Sequence, residues 1–401
     1  MLSRLVFSKN DLFFVFLTAG YLFGVILYDF LEFKYTDELM ALFLVLFAGI
    51  VVWERKEWEE AIPLGILFAV FSFYAVYSFL IHSNVYQAII KDLIIQIKPY
   101  LGFYCAYLVA PHFSATQKRL IAILCLIVGG MILIVGITGN IYFVFGHPSR
   151  FATAITATAF LFLYCSSYKW SDILIFILLL TIGFFSTRTK FYGFWMIAFA
   201  ILVYSKAGGK LRLNKSSIGV SIVVFILVLW LCKDKIILYY VDGMMNSREM
   251  WSRPAMLLMS GRILYDYFPF GSGLASFGTF ASGEYYSALY EAYGIDQLWG
   301  LSRNTRFFIC DAFYPSLAQF GVVGIGLYLL FWWSILHKGY HWLSAENQKQ
   351  WILLLFSFLF FLIEGTADTT IVHNRGLFIL IVTAITLNEM KPCHETESRY
   401  V

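Results

Sequence analysis

The chain has 401 residues, of which 60% are hydrophobic, 19% are aromatic and only 13% are charged, with a formal net charge of +4. About a quarter of the residues of a soluble domain are charged, so this composition excludes a soluble globular protein, and we expect no nucleic-acid partner. Each apolar run is about 17–25 residues long, which suits helices that cross a ~30 Å hydrocarbon core. The runs lack the two-residue alternation of a β-barrel. The sequence therefore predicts an all-α, polytopic integral membrane protein.

The apolar segments predict about twelve transmembrane helices, of which about nine lie in residues 1–233 and three in residues 312–390. The segments are 11–31, 37–53, 61–82, 89–110, 119–138, 152–168, 171–187, 190–205, 216–233, 312–336, 350–365 and 372–389. The first segment spans the membrane and lacks a small-residue cleavage site, so we expect it to be retained. A polar and aromatic interval, 234–311, predicts one large loop, and residues 391–401 form a short tail.

Basic residues predict the orientation of these helices, because loops rich in lysine and arginine remain in the cytoplasm. If the N-terminus is inside, the cytoplasmic loops hold Arg4, Lys9, Arg55, Lys56, Lys118, Arg119, Lys169, Lys206, Lys210, Arg212, Lys215, Lys338, Lys349, Lys391 and Arg399. We therefore expect both termini and the tail in the cytoplasm. The 234–311 loop is then on the periplasmic or outer face of a bacterial cytoplasmic membrane.

Basic residues on the outer side depart from this rule. They are Lys34, Arg150, Arg188, Lys190, Lys233, Lys235, Arg248, Arg253, Arg262, Arg303, Arg306 and Arg375. Arginine suits bidentate contacts with phosphate oxygens, and the natural anion at this face is the pyrophosphate of a lipid carrier. The alternative is contact with lipid headgroups or ion pairing within the loop, with Asp234, Asp242, Glu249, Asp266, Glu284, Glu291 and Asp296.

Two of the loop arginines lie in one predicted helix. Pro254 suits the first turn of a helix, which places Arg253 near a positively polarised N-terminus that favours an anion. At about 100° per residue, Arg262 projects from the side opposite Arg253, so the two do not bind one phosphate from a straight helix.

Two lysines fall within the fourth apolar segment, where a charge is costly unless it faces protein or water. Lys91 is expected to pair with Asp92 or to extend towards the membrane surface. Lys98, beside Pro99, is a candidate phosphate ligand.

The segment that follows the loop opens with Asp311. This carboxylate is either the N-cap of the next helix or a general base that takes a proton from a sugar hydroxyl. His147 and His373 lie on the same face and compete for the second role. The glycine turn 271–273 either cradles an anion or makes a tight turn. Six scattered cysteines have no metal-ligand spacing, so no metal, cofactor or disulfide framework is predicted.

The order of several short motifs resembles the superfamily of O-antigen polymerases and O-antigen ligases. The motifs are STRT at 186–189, SRPAML at 252–257, DYFPFGSGLASFG at 266–278, YYSALY at 285–290, GLS at 300–302, DAFYP at 311–315 and GVVG at 321–324. The resemblance covers about residues 185–330, and elsewhere only the number of apolar helices is similar.

The resemblance implies a metal-independent glycosyltransferase that uses undecaprenyl-pyrophosphate-linked glycans. It implies that Arg188 and Arg253 bind the pyrophosphate, together with Arg262; Arg375 and Lys98 are further candidates for the same pocket. The ligase branch commonly has a histidine where this chain has Asp311, which favours the polymerase branch.

The leading hypothesis is a polymerase of repeat units for O-antigen of lipopolysaccharide, capsule or exopolysaccharide, with Asp311 and Arg253 as the catalytic residues. Its partners would be the lipid-linked oligosaccharide, membrane lipid, a chain-length regulator and a flippase. One alternative is a ligase that transfers the glycan to lipid A core or to protein. Another is a flippase or other transporter, although a transporter would place charges at mid-membrane and show repeat symmetry.

Overall fold

The computed structural model describes residues 8–31, 35–56, 58–209, 211–212, 219, 222–223, 226–227, 230, 233–234, 237–243 and 250–392. These residues form helices and connections, and no strand occurs among them. The helices of the first half are α1 (Lys9–Ala19), α2 (Tyr28–Leu31), α3 (Thr36–Arg55), α4 (Ile62–Leu80), α5 (Tyr86–Val109), α6 (Ala115–Ile137), α7 (Ile141–Phe145), α8 (Pro148–Cys165), α9 (Trp170–Ile182) and α10 (Thr189–Lys206).

The helices of the second half are α11 (Ser252–Asp266), α12 (Phe280–Glu284), α13 (Leu289–Ala292), α14 (Phe313–Ser316), α15 (Gly321–His341), α16 (Gln348–Glu364) and α17 (Asn374–Asn388). Short helices of other types join them. Those of the 3₁₀ type are Trp58–Ala61, Gly183–Ser186, Leu317–Phe320 and Thr370–Val372, and those of the π type are Gly20–Ile26 and Ile237–Asp242.

The predicted apolar segments agree with this architecture. All of them except the ninth, 216–233, overlap a described helix, and the ninth lies largely outside the described residues. Within the described part of the chain, five helical stretches are long and apolar enough to cross a membrane: Lys9–Ile26, Thr36–Arg55, Trp58–Leu80, Ala115–Ile137 and Phe313–His341. The prediction of an α-helical membrane protein is confirmed at this level, while the number of spans stays a prediction.

The core of the bundle surrounds α8 and α17, whose residues are almost all buried. Outer helices instead expose apolar stripes. On α3, Leu39, Leu42, Leu46 and Ile50 are each more than half exposed, and their spacing of three or four residues places them on one side of the helix. An apolar stripe of this length on a helix surface is stable in lipid rather than in water.

The two ends of the bundle differ in their charged residues. At one end, the Lys118 ammonium lies 2.6 Å from Glu389, and Lys349 donates to the main-chain oxygen of Tyr164 at 2.7 Å. Arg55 donates to the main-chain oxygen of Val109, where α5 ends. We call this the lysine end. The opposite end carries the polar segment 250–311 and is called the cap end.

Residues 250–311 form the cap, a folded unit with a hydrophobic core of its own. Its core residues are Ala255, Met256, Ile263, Phe277, Tyr286, Tyr290, Ile295, Leu301 and Ile309, against which Ala318 also packs. Tyr290 is completely buried, and its hydroxyl accepts from the main-chain N–H of Gly278 at 3.0 Å. The predicted loop therefore contains α11, α12 and α13 and holds its shape by packing.

The bundle holds the cap chiefly through the main chain of residues 271–275. The hydroxyl of Tyr77 and the amide of Asn84 donate to the main-chain oxygens of residues 271 and 275, at 2.9 and 2.8 Å. In the other direction, the buried Asp92 carboxylate accepts from the N–H of residue 275 at 2.8 Å, and the Ser78 hydroxyl accepts from that of residue 274 at 2.7 Å. The same short segment thus presents both donors and acceptors to α4 and α5.

The glycine turn at 271–273 is a packing turn. The N–H of Gly271 donates to Tyr267 at 2.8 Å and that of Gly273 donates to Gln319 at 2.9 Å, so neither of these groups is available to an anion. Gly271 has φ +79°, and a Cβ there would lie 2.2 Å from the main-chain nitrogen of Gly321. The anion cradle considered from the sequence is therefore wrong for these two groups, and the tight turn is correct.

Candidate active site

Arg253 and Asp311 form an ion pair at the junction of the cap with the bundle. Arg253 lies in the first turn of α11, as the position of Pro254 predicted, and its Nε donates to Asp311 Oδ2. About a quarter of each side chain is exposed, 24% and 22%. The N-cap of α14 is Ala312 and makes no side-chain cap bond, so Asp311 is not an N-cap. Its carboxylate is held beside a guanidinium and within reach of solvent.

The connection between α16 and α17 lies directly against this pair. The Thr369 hydroxyl is 3.4 Å from the main-chain oxygen of Cys310, and the N–H of Phe313 donates to Gly365 at 3.0 Å. The connection therefore contacts the main chain just before and just after Asp311. Thr369 also lies 3.0 Å from His373 Nε2, which brings an imidazole to the same place. Thr369 therefore links His373 to the main chain of Cys310, the residue before Asp311.

Lys190 lies at the centre of an acidic arrangement on this connection. Its ammonium is 2.8 Å from Glu364 and 3.6 Å from Asp368, and it donates to the main-chain oxygen of Ala367 at 2.9 Å. Burial is the largest single influence on the Asp368 carboxyl and alone would raise its pKa, but Lys190, the neighbouring histidines and the Thr370 hydroxyl together outweigh it and hold this pKa below its ordinary value. Asp368 is therefore ionised at neutral pH, and Lys190 ties α10 to the connection.

Arg188 faces His147 at the start of α8, with 2.7 Å between Arg188 Nη2 and His147 Nε2. His147 Nδ1 accepts from the N–H of Ser149 at 3.2 Å, as a side-chain N-cap. Burial, followed by the charge of Arg188, lowers the pKa of His147, so the ring is neutral and has one acceptor nitrogen at a time. Arg188 can only donate, so its 2.7 Å contact requires Nε2 to be that acceptor. The N–H of Ser149 and the guanidinium of Arg188 therefore compete for the ring.

A measurable pH dependence follows from His147. Its pKa is lower in the folded than in the unfolded state, so the unfolded chain binds more protons below the ordinary histidine pKa. The contribution of His147 to the free energy of unfolding is fully present above the ordinary histidine pKa. It is lost as the pH falls towards the pKa of His147 in the folded protein. We expect the melting temperature in detergent to fall between pH 7.5 and 5.5 more for the native protein than for His147→Gln. Equal decreases would show that His147 does not contribute.

Asp29 joins two arginines at the cap end. It accepts from Arg150 Nη1 at 2.7 Å and from Arg375 Nη2 at 2.6 Å. Arg375 is only 3% exposed, and its Nε donates to the main-chain oxygen of Val25 at 3.0 Å. Val25 belongs to the π-helix Gly20–Ile26, a form of helix often found next to functional sites. Arg375 thus fastens α17 to the π-helix Gly20–Ile26 and to α2, whereas Arg150 is half exposed beside it.

Lys98 is buried in the bundle with two acidic partners. Its ammonium lies 2.5 Å from Asp37 and 2.8 Å from Glu38, both in the first turn of α3, and the residue is 5% exposed. The structure therefore places Lys98 in an ion pair between α5 and α3. Lys91 pairs with Glu284 of the cap at 2.5 Å, so the expected pairing with Asp92 is wrong.

The remaining arginines of the cap bind within the cap, as the ion-pairing alternative predicted. Their partners are Asp266 for Arg262 at 3.7 Å, Glu291 for Arg303 at 2.7 Å, and the main-chain oxygens of Gly283 and Glu284 for Arg306 at 3.0 and 2.9 Å. Arg262 is 69% exposed and does not approach Asp311. Arg248 lies outside the described residues.

This arrangement predicts unequal effects for two arginines of one helix. Arg253→Ala removes the partner of Asp311. For the glycan transfer that the motif resemblance implies, we expect a loss of about 10² to 10³, the range for losing one preorganised donor to a developing anion. Arg262→Ala removes only an exposed pair worth up to about 1 kcal/mol. It is expected to change transfer by less than about twofold, within the experimental spread. Transfer rates of both purified variants test the contrast, and equal losses would refute it.

Sequence reasoning did not identify three acidic residues of the site. Glu364 and Asp368 hold Lys190, and Asp29 holds Arg150 and Arg375. A signal was present, because Asp29 and Glu364 each fall within a predicted apolar segment, where an ionisable residue is costly without a partner. Their partners lie far away along the chain, so the sequence could indicate that partners exist but not which residues they are.

In the ranges that the structure describes, no group of three or more histidine, cysteine or acidic side chains could hold a metal ion. The expectation of a reaction without metal stays a prediction. No family model matches the chain, and no curated protein matches it either. The resemblance to the polymerase and ligase superfamily therefore rests on the order of motifs, and the functional argument rests on the geometry of the site.

Proposed function

We propose that the protein is a membrane glycosyltransferase that polymerises undecaprenyl-pyrophosphate-linked oligosaccharide repeat units. The observation that carries this proposal is the Arg253–Asp311 pair, held against a connection that bears His373 and Asp368, to which Lys190 of α10 is bound. A partly exposed carboxylate, a guanidinium and further cations at one end of an apolar bundle provide a base for an acceptor hydroxyl and donors for a phosphate leaving group.

In the proposed reaction, an acceptor sugar hydroxyl at the non-reducing end of an incoming lipid-linked unit attacks the anomeric carbon of the donor glycan. The bond between that carbon and the pyrophosphate oxygen breaks, and its electron pair remains on the pyrophosphate. Asp311 takes the hydroxyl proton. Arg253 and Arg188 stabilise the charge that develops on the leaving group, which requires donors already positioned for it.

The ion pair links binding to catalysis. Asp311 is a weak acceptor for a second proton donor while Arg253 Nε occupies one of its oxygens. A pyrophosphate that draws Arg253 towards itself loosens this bond, and the carboxylate becomes available to the acceptor hydroxyl. The two charged groups thus neutralise each other in the absence of substrate and act separately in its presence.

The proposal includes the orientation expected from the sequence. The lysine end would lie in the cytoplasm with both termini, and the cap would lie on the periplasmic or outer face of a bacterial cytoplasmic membrane, with about twelve spans. A lipid-linked substrate would then present its pyrophosphate at the membrane surface, at the depth of the pair, while its glycan extends into the cap. O-antigen, capsular polysaccharide and exopolysaccharide are the product classes.

Reconstitution tests the proposed activity directly. The purified protein in proteoliposomes, supplied with undecaprenyl-pyrophosphate-linked repeat units, is expected to yield a ladder of longer lipid-linked glycans and to release undecaprenyl pyrophosphate. Lipid A core is added in a second reaction as an alternative acceptor. Transfer to the core without a ladder would identify a ligase instead, and movement of the intact unit across the bilayer without bond cleavage would identify a transporter.

A further inference from the structure

Three aromatic rings form an exposed cluster on the cap, close to the ion pair. Trp299 and Phe307 are 68% and 54% exposed, and Phe308 is half-buried. The ring centroids of Trp299 lie 4.8 Å from Phe307 and 5.4 Å from Phe308, and the two phenylalanine rings are 5.4 Å apart. Each ring meets the others edge to face. We call this cluster the aromatic platform.

Hydrogen bonds hold the main chain of the turn that carries the platform. The hydroxyl of Ser252 donates to the main-chain oxygen of Trp299, and the N–H of Phe308 donates to Gly300 at 3.0 Å. Gly300 has φ +84°, and a Cβ there would lie 2.3 Å from the Phe308 ring, so the turn requires glycine. The N–H of Gly300 also donates to Thr305 at 3.2 Å. A ligand that stacks on these rings therefore does not have to order the main chain beneath them.

The platform continues directly into the candidate active site. The guanidinium carbon of Arg253 lies 5.7 Å from the centroid of the Phe308 ring. Ser252, which holds Trp299, is the neighbour of Arg253 in the first turn of α11. The rings and the Arg253–Asp311 pair therefore share one surface, with Phe308 between Trp299 and the charged groups.

We propose that the aromatic platform binds the reducing-end sugar ring of the donor glycan, an inference that rests on the proposed function. In a glycosyl pyrophosphate the first sugar is bonded directly to the phosphate. If Arg253 binds the pyrophosphate, that sugar lies about one ring away, where Phe308 and Trp299 are placed. Aromatic faces attract the C–H-bearing face of a pyranose, whereas the sugar hydroxyls remain in water. The platform would thereby select donors whose first sugar presents a flat C–H face.

A membrane-anchoring role is the competing explanation for exposed aromatic residues at a bundle end. The two roles differ in one respect that can be measured. Stacking on a sugar requires the sugar, whereas anchoring in lipid affects every lipid-linked ligand alike. Two observations favour the sugar. Phe308 of the platform contacts Arg253. The turn at 302–306, which lies between Trp299 and Phe307 in the sequence, is polar.

The test compares Trp299→Ala with Tyr265→Ala, since Tyr265 is an 83% exposed aromatic residue of the same cap outside the platform. Transfer from a lipid-linked donor to a soluble repeat unit, which accepts but does not donate, separates the two substrates. For Trp299→Ala we expect the donor KM to rise about tenfold, with the acceptor KM unchanged. Trp299→Phe is expected to recover most of this loss, and Tyr265→Ala to resemble the native protein.

Inhibition by undecaprenyl pyrophosphate without sugar provides the second measurement. Trp299→Ala is expected to leave this inhibition unchanged and to weaken inhibition by the glycosylated carrier. Equal weakening of both, or an equal effect of Tyr265→Ala, overturns the sugar subsite. If Trp299→Ala does not fold, Phe307→Ala decides by the same measurements. Absence of any transfer by the native protein would instead overturn the proposed function, and so the two failures are distinguishable.

Discussion

Asp311→Asn is expected to lower glycan transfer by a factor of about 10² to 10⁴, the usual contribution of a general base. The amide has nearly the size of the carboxylate and fits the same place between the cap and the connection, but it does not accept a proton at neutral pH. Initial rates of transfer from a lipid-linked repeat unit in proteoliposomes measure the effect. Because the substitution preserves shape, the protein yield and the melting temperature should change little.

Asp296→Asn is the matched control for this experiment. Asp296 is also a partly exposed acid of the cap, but it bonds only the neighbouring side chain of Gln297 and lies outside the site. Its substitution should leave transfer at the native rate. If Asp311→Asn retains transfer within about threefold of the native rate, Asp311 is not the base, and His373 becomes the candidate to examine next.

Gly271→Ala is expected to detach the cap from the bundle. A Cβ at this position would lie 2.2 Å from the nitrogen of Gly321 and 2.4 Å from the oxygen of Ala318, and both are main-chain atoms. The main chain has φ +79°, where alanine is also strained. We expect a loss of about 3 kcal/mol or more in the free energy of unfolding, as for other severe main-chain clashes. Thermal unfolding in detergent and the rate of proteolysis within the cap measure it.

The same cap provides a control glycine. Gly261 lies within α11, and a Cβ there would meet nothing within 4 Å. Gly261→Ala should keep or raise stability, since alanine favours a helix by about 1 kcal/mol over glycine. If Gly271→Ala and Gly261→Ala unfold at the same temperature, the close approach of the turn to Gly321 is not what holds the cap.

The bundle helices could be read from the sequence because the length of an apolar run is a local property. The hydrophobic core of the cap could not be read from the sequence in this way. Its core brings Met256, Phe277, Tyr290 and Ile309 together from positions spread over the whole segment, without a helical or alternating period. Polar and glycine-rich stretches between them predict a loop by composition alone. Only the packing of distant residues distinguishes a folded unit from a long connection.

The candidate site could be predicted only in part, because the sequence identified its arginines and Asp311 but neither its other acidic residues nor the pairings. The motif order selected Arg253 and Asp311 separately, and the structure joins them across 58 residues. Asp29 and Arg375 are 346 residues apart. A motif indicates which side chain carries chemistry, whereas its partner depends on how the helices pack. For that reason Arg375 and Lys98, both candidates by charge, are found in buried ion pairs.

The way in which the cap is attached determines which substitutions the protein can tolerate during evolution. Tyr77, Asn84 and Asp92 of the bundle bond the main chain of residues 271–275, not its side chains. Docking at this segment therefore depends on the path of its main chain, and the Lys91–Glu284 ion pair adds one side-chain contact elsewhere on the cap. Substitutions on the outer surface of the cap, around Trp299 for example, are therefore expected to leave this attachment intact. If the proposed sugar subsite is correct, its specificity can change without any change in the assembly of the fold.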